Sequence, residues 1–169
     1  SVPRPGLGFA AASDRTGRVW AVKGCDRPSE ATPLFQAPYF NVYGTGAICQ
    51  GNVDVPTGGF AGSVADRIEA WNKAFFDSFF THPNTQGLLV NYKGGPYRFW
   101  RDMLDGRHAV FPESALVPLG TSLAQLLDRQ HLARTGRARQ GKRPQHAVFL
   151  AGLPVIQHDE MTTARGALS

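Results

Sequence analysis

The sequence predicts an α+β domain: a small antiparallel sheet of meander form, with helices packed on one side. Three observations carry this. Two β-forming runs flank a polar turn near the start of the chain. A stripe of aromatic residues with helical spacing lies between residues 63 and 80. Nineteen glycines and twelve prolines break the chain too often for a bundle of long helices. The chain has 169 residues, of which 42% are hydrophobic and 11% aromatic, enough for one real core. A chain of about 150 residues buries roughly two-thirds of the surface that it exposes when unfolded. The expected organisation is a single domain over 1–169, with a basic loop near 134–143 and a mobile polar tail from about residue 157.

The elements follow in order. Gly8–Ala12 and Val19–Val22, joined by the polar turn Ser13–Arg18, read as a β-hairpin. Leu34–Ala37 is a short apolar run, and Pro38 limits any strand there to an edge or an end. Residues 39–62 read as a long Gly/Asn/Pro-rich loop with one apolar spot at Ala47-Ile48-Cys49. Ser63 is a good N-cap and Asp66 completes a near capping box. Val64, Ile68, Trp71, Phe75 and Phe79 then recur at three- and four-residue spacing, which predicts a helix packing its aromatic face on the core until His82-Pro83 ends it. Leu88–Tyr92 reads as a strand, Tyr97–Leu104 as a short helix facing Phe99, Trp100 and Met103 inward, and Thr121 as the cap of a helix holding Leu123, Leu126 and Leu127. His146–Leu150 reads as a late strand.

Composition excludes several classes of function. Two cysteines, Cys25 and Cys49, are too few for a disulfide framework; one bond between them is conceivable, and two free thiols in a reducing cytosol is the simpler account. No run is long enough to cross a bilayer and no signal pattern opens the chain, so the expected location is the cytoplasm. Ser1 stands where an initiator Met is expected, which implies a trimmed chain. His108, His131, His146 and His158 are scattered and neither cysteine has a second ligand at useful spacing, so no metal is expected. Gly6-Leu7-Gly8 lacks the rest of a phosphate-cradling fingerprint, and no cofactor is expected.

Chemistry concentrates around Cys49. Asn41 precedes it by eight residues, Gly46 by three and Ile48 by one, with Val42 after the asparagine. This spacing resembles the active-site segment of ubiquitin-conjugating (E2) enzymes, which carry the asparagine of a His-Pro-Asn motif eight residues before the catalytic cysteine. Tyr39 and Phe40 occupy the places of the His and Pro, and the stretch from Cys49 to Trp71 is longer than usual. Ala37-Pro38-Tyr39-Phe40-Asn41-Val42, Cys49-Gln50-Gly51 and the run Trp71–Pro83 resemble more closely the divergent prokaryotic E2-like family D, found in plasmid-borne PRTRC systems as protein B. The resemblance implies the E2 fold. It also implies a thioester on Cys49 formed with a ubiquitin-like protein, and E1-like (ThiF-type), ubiquitin-like and JAB-type peptidase partners.

On that reading Cys49 carries the acyl group, and Asn41 either holds the loop by hydrogen bonds or donates to the oxyanion. Tyr39, Gly46 and Ile48 shape the surface a partner's tail enters. Removing one oxyanion donor typically raises the barrier by about 3–4 kcal/mol. Asp54 either steers or deprotonates an incoming lysine, or is a solvated loop carboxylate. The bland reading of Cys49 is a small buried hydrophobe, in which case the domain is an inert E2-fold scaffold. Cys25, beside Asp26-Arg27, reads as an inert thiol. His82-Pro83-Asn84 spells the E2 tripeptide, but no cysteine follows it, and it reads as a helix stop.

The formal net charge of +5 draws acidic partners by long-range field without choosing among them. Arg134, Arg137, Arg139, Lys142 and Arg143 read as a solvated basic loop, as a dock for an acidic partner, or as a phosphate contact on nucleic acid in a plasmid-maintenance protein. No aromatic interleaves the run, so base stacking has no support.

Overall fold

The β-hairpin expected at the start of the chain forms from β1 (Gly6–Ala11) and β2 (Gly17–Val22). Their antiparallel register sets Leu7 against Ala21 and Phe9 against Val19. The computed structural model describes residues 2–11, 17–51, 63–128 and 149–152. β3 (Pro33–Phe35) joins the other edge of β2 through Ala21↔Phe35, and β4 (Pro118–Ser122) joins β3. β5 (Phe149–Gly152) pairs with β1, giving the antiparallel order β4-β3-β2-β1-β5. The first four strands are therefore a meander, and the fifth closes the free edge of the first. The late strand takes in Phe149 and Leu150 of the run expected for it and continues to Gly152; residues 146–148 fall outside the described residues.

Alternation along β2 divides the core. Val19 and Ala21 face one side, where Phe9, Phe35, Phe75, Phe99 and Met103 bury beside them. Trp20 and Val22 face the other with Ala10 and Leu34, and Leu119 and Leu126 pack there. Both sheet faces are covered, whereas the sequence led us to expect helices on one side: the helical segment over 123–128 brings Leu126 to the second face. Its cap is Ser122, one residue later than expected. The Ser122 hydroxyl accepts from the Gln125 N–H (3.4 Å), and the Ser122 N–H donates to the Gln125 side chain (3.0 Å).

α1 (Val64–Phe76) starts on the capping box that its sequence spells: Ser63 Oγ accepts from the Asp66 N–H, and the Asp66 carboxylate accepts from the Ser63 N–H. It stops three residues short of Phe79. The Phe75 carbonyl accepts from the side chains of Asn41 (3.1 Å) and Ser78 (2.8 Å), and Phe79 is 82% exposed. Side chains from outside the helix have captured the carbonyl that a further turn would have used.

α2 (Gly95–Leu104) follows Gly94, whose φ of 92° is open to glycine at little cost, and Pro96 suits its first turn. Phe99 and Met103 are fully buried, and Phe99 packs edge-on to Tyr92, Trp100 and Phe111. The run 88–92 is not a strand. Leu89 and Val90 enter the core and the Asn91 N–H donates to the Ala115 carbonyl (2.8 Å), but β4 and β5 have taken the outer places of the sheet. Among the described residues no helix is long and apolar enough to cross a membrane.

Candidate active site

Between β3 and Gly51 the chain folds into a tight hairpin rather than an open loop. Tyr43 N–H donates to the Ala47 carbonyl (2.9 Å), Gly46 N–H to the Tyr43 carbonyl (2.8 Å), and Cys49 N–H to the Asn41 carbonyl (2.8 Å). Val42 sits opposite Ile48. One arm lies along the half of β2 that β3 leaves unpaired: Val19 N–H donates to the Gly46 carbonyl (2.8 Å) and Ile48 N–H to the Gly17 carbonyl (2.9 Å). The cysteine therefore sits at the end of what is in effect an added strand, fixed to the centre of the sheet.

Glycine is needed at two points of this segment. Gly46 has φ of 78°, and a Cβ there would lie 2.6 Å from the indole nitrogen of Trp20. Gly51 has φ of 54°, with the Phe80 ring 2.9 Å from where a Cβ would be. The cysteine lies between these two close approaches in the chain.

Asn41 is buried, and its two amide hydrogens are both used, one on the Phe75 carbonyl and one on Ser78 Oγ (2.8 Å). Its side chain thus ties the hairpin to the end of α1, while its backbone carbonyl holds the Cys49 N–H. Tyr39 is half-buried among Phe75, Phe76 and Trp100, with ring centroids 5.2, 5.7 and 5.2 Å away. Its buried hydroxyl has no hydrogen-bond partner among the described residues, and burial of that group pushes its pKa far above the ordinary tyrosine value. Trp100 Nε1 donates to the Pro38 carbonyl (2.7 Å), and Asn84 N–H to the Phe40 carbonyl (2.9 Å), so the His82-Pro83-Asn84 turn also braces the segment. A groove of about 240 Å³ opens beside it, walled by Tyr39, Phe76, Phe80 and Trp100, with the Arg4 guanidinium 4.0 Å over the Phe76 ring.

Cys49 is half-buried and Cys25 exposed, and both thiols are free. Ile48 is half-buried against the Val42 and Phe75 cluster. The structure thus gathers Tyr39, Asn41, Gly46, Ile48 and Cys49 around one hairpin. Asp54 and the basic residues Arg134, Arg137, Arg139, Lys142 and Arg143 lie outside the described residues. Among the described residues no group of three His, Cys, Asp or Glu side chains is placed to hold a metal ion.

One neighbour of the sulfur escapes a reading that treats 39–62 as a loop. Tyr43, 41% exposed, meets Cys49 through its hydroxyl, and this hydrogen bond, before the thiol's charge, raises the pKa of the phenol. Reading 41–49 as a hairpin would have found it, because alternation puts 41, 43, 47 and 49 on one face. Chemically, the site offers a partly reachable thiol, a phenol against it and a backbone held rigid by glycine turns and aromatic walls.

No curated protein and no solved structure matches the chain. The family model described as prokaryotic E2 family D matches residues 1–119, which take in α1, α2, the first three strands, the start of β4 and the Cys49 hairpin. The chain belongs to prokaryotic E2 family D.

Proposed function

We propose that the protein is an E2-type acyl carrier, taking the C-terminal glycine of a ubiquitin-like protein onto Cys49 and passing it to an amine. In the first step the Cys49 thiolate attacks the thioester carbonyl carbon on an E1-like (ThiF-type) activator. The new C–S bond forms and the activator's thiolate leaves. In the second an amine attacks the same carbon, the C–N bond forms, the C–S bond breaks, and the amine's proton goes to water. An amide lies below a thioester in energy, so transfer runs downhill without a strong local base. The observation that supports this reading most is a half-buried sulfur on a hairpin fixed at two places: β2, whose Trp20 ring lies against Gly46, and the end of α1. Asn41 serves here as the anchor of that hairpin. A JAB-type peptidase that removes the ubiquitin-like protein, and residence in a plasmid-borne PRTRC system, extend the same reading.

Two observations favour a second reading, an inert scaffold of E2 fold. The Asn41 amide has no hydrogen left for an oxyanion, and Tyr39 and Phe40 stand where E2 enzymes carry His-Pro. Incubation with the E1-like and ubiquitin-like partners and ATP separates the two. The carrier gives an adduct that thiols cleave and that Cys49→Ser abolishes, and Cys49→Lys gives a thiol-resistant adduct. Wild-type protein that binds both partners and stays unmodified is the scaffold.

A further inference from the structure

We propose that Tyr43 is a catalytic residue of this site, its phenol donating a hydrogen bond to the Cys49 sulfur whenever that sulfur carries negative charge. The proposal rests on the acyl-carrier reading for its catalytic consequence, and on the hairpin alone for the contact itself.

The geometry comes from the register. Val42 opposes Ile48, and the Cys49 N–H donates to the Asn41 carbonyl, so residues 41 and 49 are a cross-strand pair and 43 and 47 the next. Val42 is fully buried and Ile48 packs on the same cluster, which turns Tyr43 and Cys49 to the opposite face. They are diagonal neighbours there, a spacing that an aromatic side chain spans. The Tyr43–Gly46 turn, closed at 2.8 Å, and the Trp20 ring under Gly46 hold that diagonal in place. The diagonal brings the phenol within reach of the thiol, and contact with Cys49, by hydrogen bond first and by charge second, raises the pKa of the phenol, which leaves it a donor.

The chemistry needs such a group. As the amine attacks, the tetrahedral intermediate collapses, the C–S bond breaks and its electron pair moves to Cys49 Sγ; the proton lost by the amine goes to water. The sulfur leaves as a thiolate, and a donor already in place stabilises that charge without rearrangement. When the next thioester is taken on, the same phenol lies against the sulfur that attacks. Asn41 cannot supply this bond, since both its amide hydrogens are committed to α1 and Ser78. Because Tyr43 is partly exposed, water substitutes for part of its effect, so the loss should fall below that of a buried donor: about tenfold rather than the roughly hundredfold of an oxyanion-hole residue.

Tyr43→Phe tests this with the ring and hairpin retained, its fold checked by circular dichroism and melting temperature. Preformed Cys49 thioester should discharge into free lysine about tenfold more slowly than wild type. Replacement of Tyr43 by a monofluorinated tyrosine, a stronger donor of the same shape, should discharge at least as fast as wild type. Alkylation of Cys49 by iodoacetamide at neutral pH, which needs neither partner nor ATP, should slow several-fold in Tyr43→Phe. A folded Tyr43→Phe that discharges and alkylates at wild-type rates overturns the proposal. Wild-type protein that never takes the adduct overturns the carrier reading instead, and the alkylation rate then decides the Tyr43–Cys49 contact by itself.

Discussion

Asn41 shows how a residue's identity and its task can be legible to different degrees. Its eight-residue spacing to Cys49 is visible in the chain, and in the structure that spacing becomes a 2.8 Å backbone hydrogen bond. The direction of its amide is not visible, because the groups that take its hydrogens lie 34 and 37 residues further on. Truncation to Asn41→Ala leaves the Phe75 carbonyl with the Ser78 hydroxyl alone and removes one partner of that half-buried hydroxyl. It should lower stability by about 1–3 kcal/mol, read from the midpoint of denaturant unfolding. An anchor also predicts that Asn41→Ala loosens the hairpin, so that Cys49 alkylation speeds up; a pure oxyanion donor would leave stability untouched.

At the scale of elements, local chemistry was readable and tertiary capture was not. The capping box of α1 needs only Ser63 and Asp66, so its start is written in four residues. Its end is set by Asn41 from another part of the chain, which is why a stripe that runs to Phe79 gives a helix ending at Phe76. Leu88–Tyr92 has strand-like composition but no sheet edge to join, and pairing is a property of the sheet rather than of the segment. The hairpin over 41–49 hid among glycines that look like loop; two of them permit close approach by Trp20 and Phe80. Gly46→Ala should therefore cost at least about 1–2 kcal/mol, since the left-handed backbone alone costs that for a residue with a side chain. Its unfolding midpoint against wild type, followed by tryptophan fluorescence, measures this.

The whole molecule is held by a sheet covered on both faces and by one buried carboxylate between segments. Asp102 is 4% exposed and accepts from Arg98 Nε (2.9 Å) and the Tyr92 hydroxyl (3.0 Å), with Arg107 Nε at 3.2 Å. The Tyr92 hydroxyl also meets His108 Nε2 (3.1 Å). The Arg98 hydrogen bond is the largest cause that holds the Asp102 carboxyl below the ordinary aspartate range, with Tyr92 and the charges of Arg98 and Arg107 adding to it and burial opposing. A carboxyl depressed in the folded state contributes stability that is fully present above its unfolded value, about 3.9, and is lost as pH falls through the folded value. Asp102→Asn should therefore be less stable than wild type at neutral pH, with the gap narrowing as pH drops below about 4. Melting temperatures of the two proteins across pH 2.5–7 check it, and a gap independent of pH would assign the contact to shape rather than charge.

The fold class, the first hairpin and the start of α1 were legible because each depends on neighbours in sequence, whereas α2 starts at Gly95, two residues before the expected Tyr97. The side of the sheet covered by 123–128, the end of α1 and the phenol beside Cys49 depend on contacts between distant segments. The central claim is a sulfur at position 49 that a partner can reach on a rigid hairpin. The chain offers its own standard in the exposed Cys25, the second of its two free thiols. Timed iodoacetamide labelling of the native protein, read by peptide mass spectrometry, should modify Cys49 within about tenfold of the rate at Cys25, since reactivity follows access and thiolate character. Labelling of Cys25 alone, with Cys49 modified only after denaturant is added, would contradict the account.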